Sequence, residues 1–123
     1  MKRVLVVDDA VTVRLYHCDL LKTAGFDVCE AENGVEALEH AMQQPFDLML
    51  VDVNMPKMDG YRLMCEVRRQ EALRGIPIVM ISTEQEEQDR QQAYAKGANY
   101  YLVKPAEPEL LVNIALVMTG GSQ

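Results

Sequence analysis

The sequence predicts an α/β fold, a doubly wound parallel sheet of five strands with five helices. Short apolar runs recur along the 123 residues, and stretches with helical periodicity separate them. Most of these runs are continuous, which is typical of parallel strands that helices cover on both faces. Right-handed connections then place helices on both sides of the sheet.

Five apolar runs are predicted as strands. The second run alternates between apolar and polar residues, whereas the other four are continuous. An alternating strand suits an edge of the sheet. In chain order the runs are 4–7 (VLVV), 27–31 (DVCEA), 48–51 (LMLV), 78–81 (IVMI) and 100–103 (YYLV).

The first predicted helix covers 10–25, where apolar side chains recur every three or four residues and form one stripe. We expect this helix to stop at Gly25, because glycine often follows the last helical turn. The stripe that should face the sheet consists of Val13, Tyr16, His17, Leu20, Leu21 and Ala24.

The remaining four helices are bounded by residues that start or stop helices. They are expected between Gly34 and Pro45, from Gly60 onward, over the polar segment 83–98 and over 107–118. The side chains expected to face inward are Leu38, Ala41 and Met42 in the second helix and Leu63, Met64 and Val67 in the third.

The whole pattern fits one domain over residues 1–119, and we expect 120–123 to form a disordered tail. The sequence contains neither the apolar core of a signal peptide nor a stretch long enough to span a membrane. Its three cysteines lack a paired or metal-binding spacing, which fits reduced thiols. These observations predict a cytoplasmic domain.

The net charge of −7 argues against direct binding of nucleic acid, because phosphate contacts need a basic patch. The composition, 49% hydrophobic and 25% charged, is otherwise that of an ordinary globular chain. The net charge therefore argues against nucleic acid as a partner and does not indicate any other class of partner.

Carboxylates follow two of the predicted strands. Asp8 and Asp9 come after the first strand, and Asp52 comes after the third. Ligands of open parallel sheets bind at the carboxyl ends of the strands, so these side chains meet if the two strands are neighbours. Clustered oxygen ligands without histidine or cysteine predict a hard cation such as Mg²⁺. The alternative is that Asp8 and Asp9 only cap the first helix.

Two further strand ends carry polar groups. Ser82 and Thr83 follow the fourth strand, and Lys104 follows the fifth. A hydroxyl and an ammonium opposite a carboxylate cluster suit a group with negatively charged oxygens. A carboxylate can act as a nucleophile and accept a phosphoryl group. We predict Asp52 as that nucleophile, while Asp8 and Asp9, as a pair, suit the metal; the alternative for Lys104 is a plain solvent-facing strand end.

The motifs that carry these residues resemble those of the receiver domain of two-component response regulators. They are "VLVVDD", "DLMLVDVNMPKMDGY", "IVMIST" and "YYLVKP", in that order over nearly the whole chain. The chain most resembles the single-domain, chemotaxis-type regulators, since no output domain follows. The resemblance implies a flavodoxin-like sheet in the order 2-1-3-4-5.

The resemblance also implies roles for the residues around the metal. Asp52 would accept a phosphoryl group from a histidine kinase or a phosphotransfer protein in a Mg²⁺-dependent reaction, with Mn²⁺ as an alternative metal. Asp9 and Asp52 would bind the ion directly and Asp8 largely through water. The backbone carbonyl of Asn54 would complete the protein ligands. Asn54 and Glu84, beside the phosphate, would tune dephosphorylation, and this pair implies a lifetime of seconds to minutes.

Further roles implied by the resemblance concern the switch. Ser82 would be the switch hydroxyl, with Thr83 beside the phosphoryl oxygens, and Lys104 the phosphate-contacting lysine. Tyr101 would be the aromatic switch residue, although a tyrosine at a half-buried strand end is the alternative. The Lys104–Pro105 peptide bond would be cis. The surface that binds a downstream protein would comprise the fourth helix, the fifth strand and the fifth helix; an ordinary solvated face is the alternative for the polar fourth helix.

Three rival functions are open to this fold. A Mg²⁺-dependent phosphohydrolase would need a second aspartate two positions after the nucleophile, where the chain has Asn54, and an insertion that forms a substrate pocket. An interaction domain that works without phosphorylation would not need the intact set of Asp9, Asp52, Ser82 and Lys104. A flavodoxin-like carrier would need a phosphate-binding loop after the first strand, where the chain has "DDAVTV".

Overall fold

The computed structural model describes residues 1–120 and contains one parallel sheet of five strands. Their order is β2-β1-β3-β4-β5, so β2 and β5 are the edges, as predicted. The pairing places Val7 beside both Ala31 and Val51, which brings the carboxyl ends of β1, β2 and β3 together. The strands are β1 (Arg3–Val7), β2 (Asp27–Ala31), β3 (Leu48–Asp52), β4 (Ile78–Ser82) and β5 (Tyr100–Val103).

Each strand is followed by one helix, so the predicted alternation is confirmed. Local caps set the starts of several helices: Asn33 accepts a hydrogen bond from the backbone N–H of Glu36, and Asp59 accepts one from that of Arg62. The helices are α1 (Val11–Thr23), α2 (Gly34–Gln43), α3 (Gly60–Arg69), α4 (Glu87–Ala95) and α5 (Pro108–Met118).

The prediction for the fourth helix was wrong at its start, because residues 83–86 are not helical. A capping box explains the shift: the side chain of Glu86 accepts from the backbone of Asp89, and that of Asp89 accepts from the backbone N–H of Glu86 at 3.2 Å. Residues 83–86 therefore form a loop at the edge of the sheet where the carboxylates lie.

The two faces of the sheet bury two separate apolar clusters. Alternate residues of each strand point to opposite faces, so that Leu5 joins one cluster and Val6 joins the other. Helices α2, α3 and α4 cover the first face, and α1 and α5 cover the second. This is the doubly wound arrangement that the continuous apolar strands predicted.

Three inward orientations predicted from periodicity were wrong. Tyr16 is 37% exposed and Met42 is 61% exposed, and Ala24 lies on the surface after the end of α1. In α1 the buried side is centred on His17, Cys18 and Leu21, so Tyr16 falls on its flank, where its hydroxyl donates to the carbonyl of Ala106 at 3.1 Å. In α2, Ala37 and Ala41 make the close contact with the sheet and leave Met42 outside. The predicted positions Leu63, Met64 and Val67 are all buried.

No helix within residues 1–120 has the length and apolar character needed to cross a lipid bilayer. Of the tail predicted at 120–123, Gly120 is in a turn after α5 and its N–H donates to the carbonyl of Val117 at 3.2 Å, whereas residues 121–123 lie outside the described part.

Candidate functional site

Three carboxylates meet at the carboxyl ends of β1 and β3. One oxygen from each of Asp8, Asp9 and Asp52 lies within 4.8 Å of the others. Asp8 and Asp52 are 1% and 2% exposed, whereas Asp9 is exposed to solvent. Oδ1 of Asp8 also accepts from the N–H of Ala10 at 2.9 Å, in the turn between β1 and α1, and α1 itself has no side-chain cap. The side chain of Asp8 therefore stabilises the β1–α1 turn and also belongs to the carboxylate cluster.

Lys104 reaches this cluster from the end of β5. Its Nζ lies 3.0 Å from Oδ1 of Asp52 and 3.2 Å from Oδ2 of Asp8, and its side chain is only 13% exposed. Burial alone would lower the pKa of Lys104, but its ion pairs with Asp52 and Asp8 raise that pKa above its ordinary value. The lysine is thus a permanent positive charge that joins two strands separated in the sheet.

Burial raises the pKa of Asp52 to about 6, against the hydrogen bond from Lys104, and the charges of Asp8 and Asp9 act in the same direction as burial. One ammonium does not balance three carboxylates, so ionised Asp52 lies in an unfavourable environment. The cluster offers only oxygen donors within reach of one ion, which fits a hard divalent cation such as Mg²⁺. A bound cation would relieve this electrostatic imbalance.

Ser82 ends β4 at the same edge of the sheet. The sheet register pairs Asp52 with Ile81, so Ser82 lies one residue beyond the partner of Asp52. Ser82 is 1% exposed, and its Oγ accepts from the backbone N–H of Glu84 at 3.1 Å. Its carbonyl accepts from the N–H of Lys104 at 2.8 Å, which ties the ends of β4 and β5 together.

Tyr101 is buried, at 1% exposed, rather than half-buried at a strand end. Its hydroxyl donates to the carbonyl of Glu84 at 2.9 Å, two residues after Ser82. The guanidinium of Arg90 lies over the tyrosine ring, 5.5 Å from its centre, and its Nη1 donates to the carbonyl of Tyr101 at 3.3 Å. The β4–α4 loop, α4 and β5 are therefore connected through one aromatic side chain.

The other predicted site residues lie on the loops around the cluster. Thr83 and Glu84 are exposed after β4, and Asn54 is exposed after β3. The peptide bond between Lys104 and Pro105 is cis.

Sequence reasoning missed two features near the site. Arg90 lies in a helix predicted only as polar, and nothing in the periodicity of that helix distinguished its guanidinium. Gly60, at the start of α3, was read only as a helix-start signal; its N–H donates to the carbonyl of Val53 at 2.9 Å, and an added Cβ would lie within 2.9 Å of Cε of Met80 and even nearer to the carbonyl of Asp52. The dipeptide Asp59-Gly60 was the available signal.

His17 is buried on α1, as predicted from its stripe. It is 0% exposed, and among the described residues neither ring nitrogen has a hydrogen-bond partner. Burial lowers the pKa of His17; the charge of Asp8 opposes this effect and that of Lys104 adds to it. We therefore regard His17 as a neutral core residue rather than a member of the site.

The chain is similar to known proteins over the region that contains these site residues. The family model described as the response regulator receiver domain matches residues 4–116. The chain is 38% identical to the chemotaxis protein CheY1 of Helicobacter pylori over 120 residues, which cover 96% of this chain and 97% of that protein. The crystallised chemotaxis protein CheY4 of Vibrio cholerae superposes with a TM-score of 0.90 at 38% identity, covering 96% of this chain and 98% of that one.

A third similar structure contains a metal. It is the receiver domain of the sensor histidine kinase PA1611 of Pseudomonas aeruginosa, described with a magnesium ion in its active-site cleft; its TM-score is 0.89 at 29% identity, covering 97% of this chain and 98% of that one. Other relatives are longer. The chain spans about half the length of the probable transcriptional regulator ycf29 of Pyropia yezoensis and of ResD of Bacillus subtilis.

Proposed function

The chain belongs to the response regulator receiver domain family, and from that premise we propose that it is a phosphorylation-activated switch with Asp52 as phosphoacceptor. The donor would be a histidine kinase or a phosphotransfer protein, and the reaction would require Mg²⁺. The observation that carries the proposal is the position of Lys104, whose Nζ lies 3.0 Å from Asp52 and 3.2 Å from Asp8. A plain metal site would not need a buried ammonium among its carboxylates.

In the proposed reaction, a carboxylate oxygen of Asp52 attacks the phosphorus of a phosphohistidine. The P–N bond breaks, an acyl phosphate forms, and the leaving imidazole takes up a proton. Lys104 binds an oxygen of the transferred group and stabilises its charge. Asp8, Asp9, Asp52 and the backbone carbonyl of Asn54 would hold Mg²⁺, which supplies positive charge beside the same oxygens. Mn²⁺, with similar oxygen ligands, is the alternative metal.

The proposed switch begins at Ser82. Its Oγ already accepts a hydrogen bond from Glu84, so its own O–H is the group that can donate to a new phosphoryl oxygen. A movement of Ser82 and Thr83 toward the phosphate would pull on Glu84, whose carbonyl holds the hydroxyl of Tyr101. Phosphorylation would thereby shift a two-state equilibrium of the surface formed by α4, β5 and α5.

We further propose that this surface binds a downstream protein and that the domain acts in the cytoplasm. Its chemistry would be limited to its own phosphorylation and dephosphorylation. Asn54 and Glu84 are exposed on the loops after Asp52 and Ser82, which suits groups that orient a hydrolytic water. Direct nucleic-acid binding by this domain is not part of the proposal, because its net charge is −7.

Intact mass spectrometry after incubation with acetyl phosphate and Mg²⁺ tests the proposal. The chain should gain the mass of one phosphoryl group, and a chelator should prevent the gain. Asp52→Asn should abolish it, whereas the exposed Asp19→Asn in α1 should leave it unchanged. No gain in the unsubstituted chain under these conditions would instead favour an interaction domain that works without phosphorylation.

A further inference from the structure

The loop between β3 and α3 follows the proposed phosphoacceptor directly and carries Asn54. We call residues 53–59 the acceptor loop. Its first residue is fixed to the sheet, because the N–H of Val53 donates to the carbonyl of Ile81 at 3.0 Å. Its end is closed by Gly60, whose N–H donates to the carbonyl of Val53 at 2.9 Å. These contacts hold the ends of the loop but not its middle.

The middle of the acceptor loop contains a strained turn. The N–H of Met58 donates to the carbonyl of Pro56 at 2.8 Å, which makes a γ-turn with Lys57 at its centre. Lys57 has φ = 69°, a conformation that side chains other than glycine rarely adopt. Such backbone conformations persist only when surrounding structure holds them. A contact that fixes the turn from outside the loop is therefore required.

Gly34, the first residue of α2, makes that contact. Its N–H donates to the carbonyl of Met58 at 3.2 Å. An added Cβ at Gly34 would lie 2.5 Å from this carbonyl oxygen and 2.7 Å from both Cβ and Cγ of Met58. Side chains do not approach one another or a backbone carbonyl so closely, so any residue other than glycine would push Met58 away. Met58 itself packs against the buried core on this side of the sheet.

We propose that Gly34 is a positioning residue for the phosphoacceptor site. By allowing α2 to touch both the backbone and the side chain of Met58, it holds the acceptor loop in the shape that presents Asp52 and the carbonyl of Asn54 to one Mg²⁺ ion. Gly34 touches neither the metal nor the phosphoryl group, and it acts through Met58. The inference rests on the proposed function for its metal, and it assigns part of the metal affinity to a residue outside the acidic cluster.

The test compares Mg²⁺ affinities, obtained from the rise of the thermal unfolding midpoint with MgCl₂ concentration at constant ionic strength. Gly34→Ala should weaken Mg²⁺ binding about tenfold, in the range found when groups that orient metal ligands are altered. Phosphoryl uptake from acetyl phosphate at subsaturating Mg²⁺ should slow in proportion.

Two control variants separate positioning from loss of stability. Gly75→Ala changes a glycine whose added Cβ would meet nothing within 4 Å among the described residues, and it should leave Mg²⁺ affinity unchanged. Asn33→Ala removes the cap of α2 next to Gly34 without adding an atom toward Met58, so it should lower the unfolding midpoint but leave Mg²⁺ affinity unchanged. Equal Mg²⁺ affinities for Gly34→Ala and Asn33→Ala would overturn the proposal.

A second variant covers the case in which Gly34→Ala does not fold. Met58→Gly removes the Cβ and Cγ that lie against Gly34 without adding an atom, and it should weaken Mg²⁺ binding in the same direction; an unchanged affinity would overturn the proposal. The unsubstituted chain is measured first. Mg²⁺ binding without phosphoryl uptake would overturn the proposed function while the variants still decide the role of Gly34, and absence of Mg²⁺ binding would overturn both.

Discussion

Helices α3 and α4 cover the same face of the sheet but are held to it very differently. Within Gly60–Arg69, four residues are buried: Gly60, Leu63, Met64 and Val67. Within Glu87–Ala95, Ala93 alone is buried. The first helix follows the acceptor loop, and the second follows the loop that contains Glu84. The comparison indicates a fixed side that positions Asp52, the proposed phosphoacceptor, and a loosely packed side that can respond to it, since local opening is easiest where few apolar contacts are buried.

The largest expected effect comes from truncating an apolar side chain of α3. Leu63 is 0% exposed, so Leu63→Ala should lower the free energy of unfolding by about 2–5 kcal/mol. Tyr94→Ala in α4 removes a larger side chain that is 42% exposed, and it should cost less than about 1 kcal/mol. Urea unfolding followed by circular dichroism gives both values. Similar losses for the two variants would show that the helices are equally anchored.

The second prediction concerns the negative charge of Asp52, at the end of β3. Burial raises the pKa of Asp52 from 3.8 to about 6, so the folded chain binds this proton more tightly than the unfolded chain does. Ionisation of Asp52 therefore destabilises the fold as the pH rises through this interval. In the presence of a chelator at about pH 8, Asp52→Asn should raise the free energy of unfolding by about 1–3 kcal/mol.

The sign of that effect can be checked by its dependence on pH and metal. Well below pH 3.8 the carboxyl of Asp52 is protonated in both the folded and the unfolded state, and the advantage of Asp52→Asn should disappear. Saturating Mg²⁺ should reverse the order of the two proteins at about pH 8, because the ion stabilises ionised Asp52 and loses a ligand in the variant. A variant that is less stable than the unsubstituted chain in chelator would contradict the prediction.

A smaller effect is expected on the loosely packed side, at Arg90. Its guanidinium covers the ring of Tyr101 and donates to that residue's carbonyl. Arg90→Ala should therefore lower the local free energy of opening of α4 and β5 by about 1 kcal/mol. Hydrogen exchange of α4 and β5 should quicken by about fivefold, since 1.4 kcal/mol corresponds to a factor of ten, while α3 should be unaffected. Arg62→Ala, which removes an exposed ion pair with Glu66 in α3, is the matched control and should leave exchange in α4 unchanged.

The smallest predicted effect is at Lys57, where the acceptor loop has φ = 69°. Lys57→Gly relieves this conformation but gives the unfolded chain more freedom, so the net gain in unfolding free energy should be about 0.5 kcal/mol. Lys57→Ala keeps the Cβ and should give no gain. Thermal unfolding at fixed Mg²⁺ concentration distinguishes the variants, and a gain for alanine equal to that for glycine would exclude backbone conformation as the cause.

The sequence predicted the site because strand ends of a parallel sheet share one edge. Once the apolar runs were recognised, Asp8, Asp52, Ser82 and Lys104 had to come out at that edge, although their hydrogen bonds could not be foreseen. The sheet order came from the resemblance, since the runs themselves do not state which strands pair.

The sequence pattern could not predict which helices, strands and loops contact one another. The 5.5 Å approach of Arg90 to the Tyr101 ring depends on how α4 lies across β5, and periodicity carries no such information. Nor does the spacing of Gly34 and Met58 reveal that α2 touches the acceptor loop. The inward orientation predicted for Met42 was wrong for a related reason. The buried residues Ala37 and Ala41 determine which side of α2 faces the sheet. The start of α4 depends on which residue caps the helix, and the capping box between Glu86 and Asp89 determines it.

The two edge strands should differ in how readily they separate from the sheet. Separation of β5 would remove the ammonium of Lys104 from two buried carboxylates at 3.0 Å and 3.2 Å. Separation of β2 would break ion pairs whose carboxylates are partly exposed to solvent, such as those of Arg3 with Asp27 and of Arg14 with Glu30. Edge strands are ordinarily the first to fray, but here the charge distribution protects one of them. Of the two edge strands, β2 should therefore separate from the sheet first, whereas β5 should stay paired through Lys104 even where α4 opens.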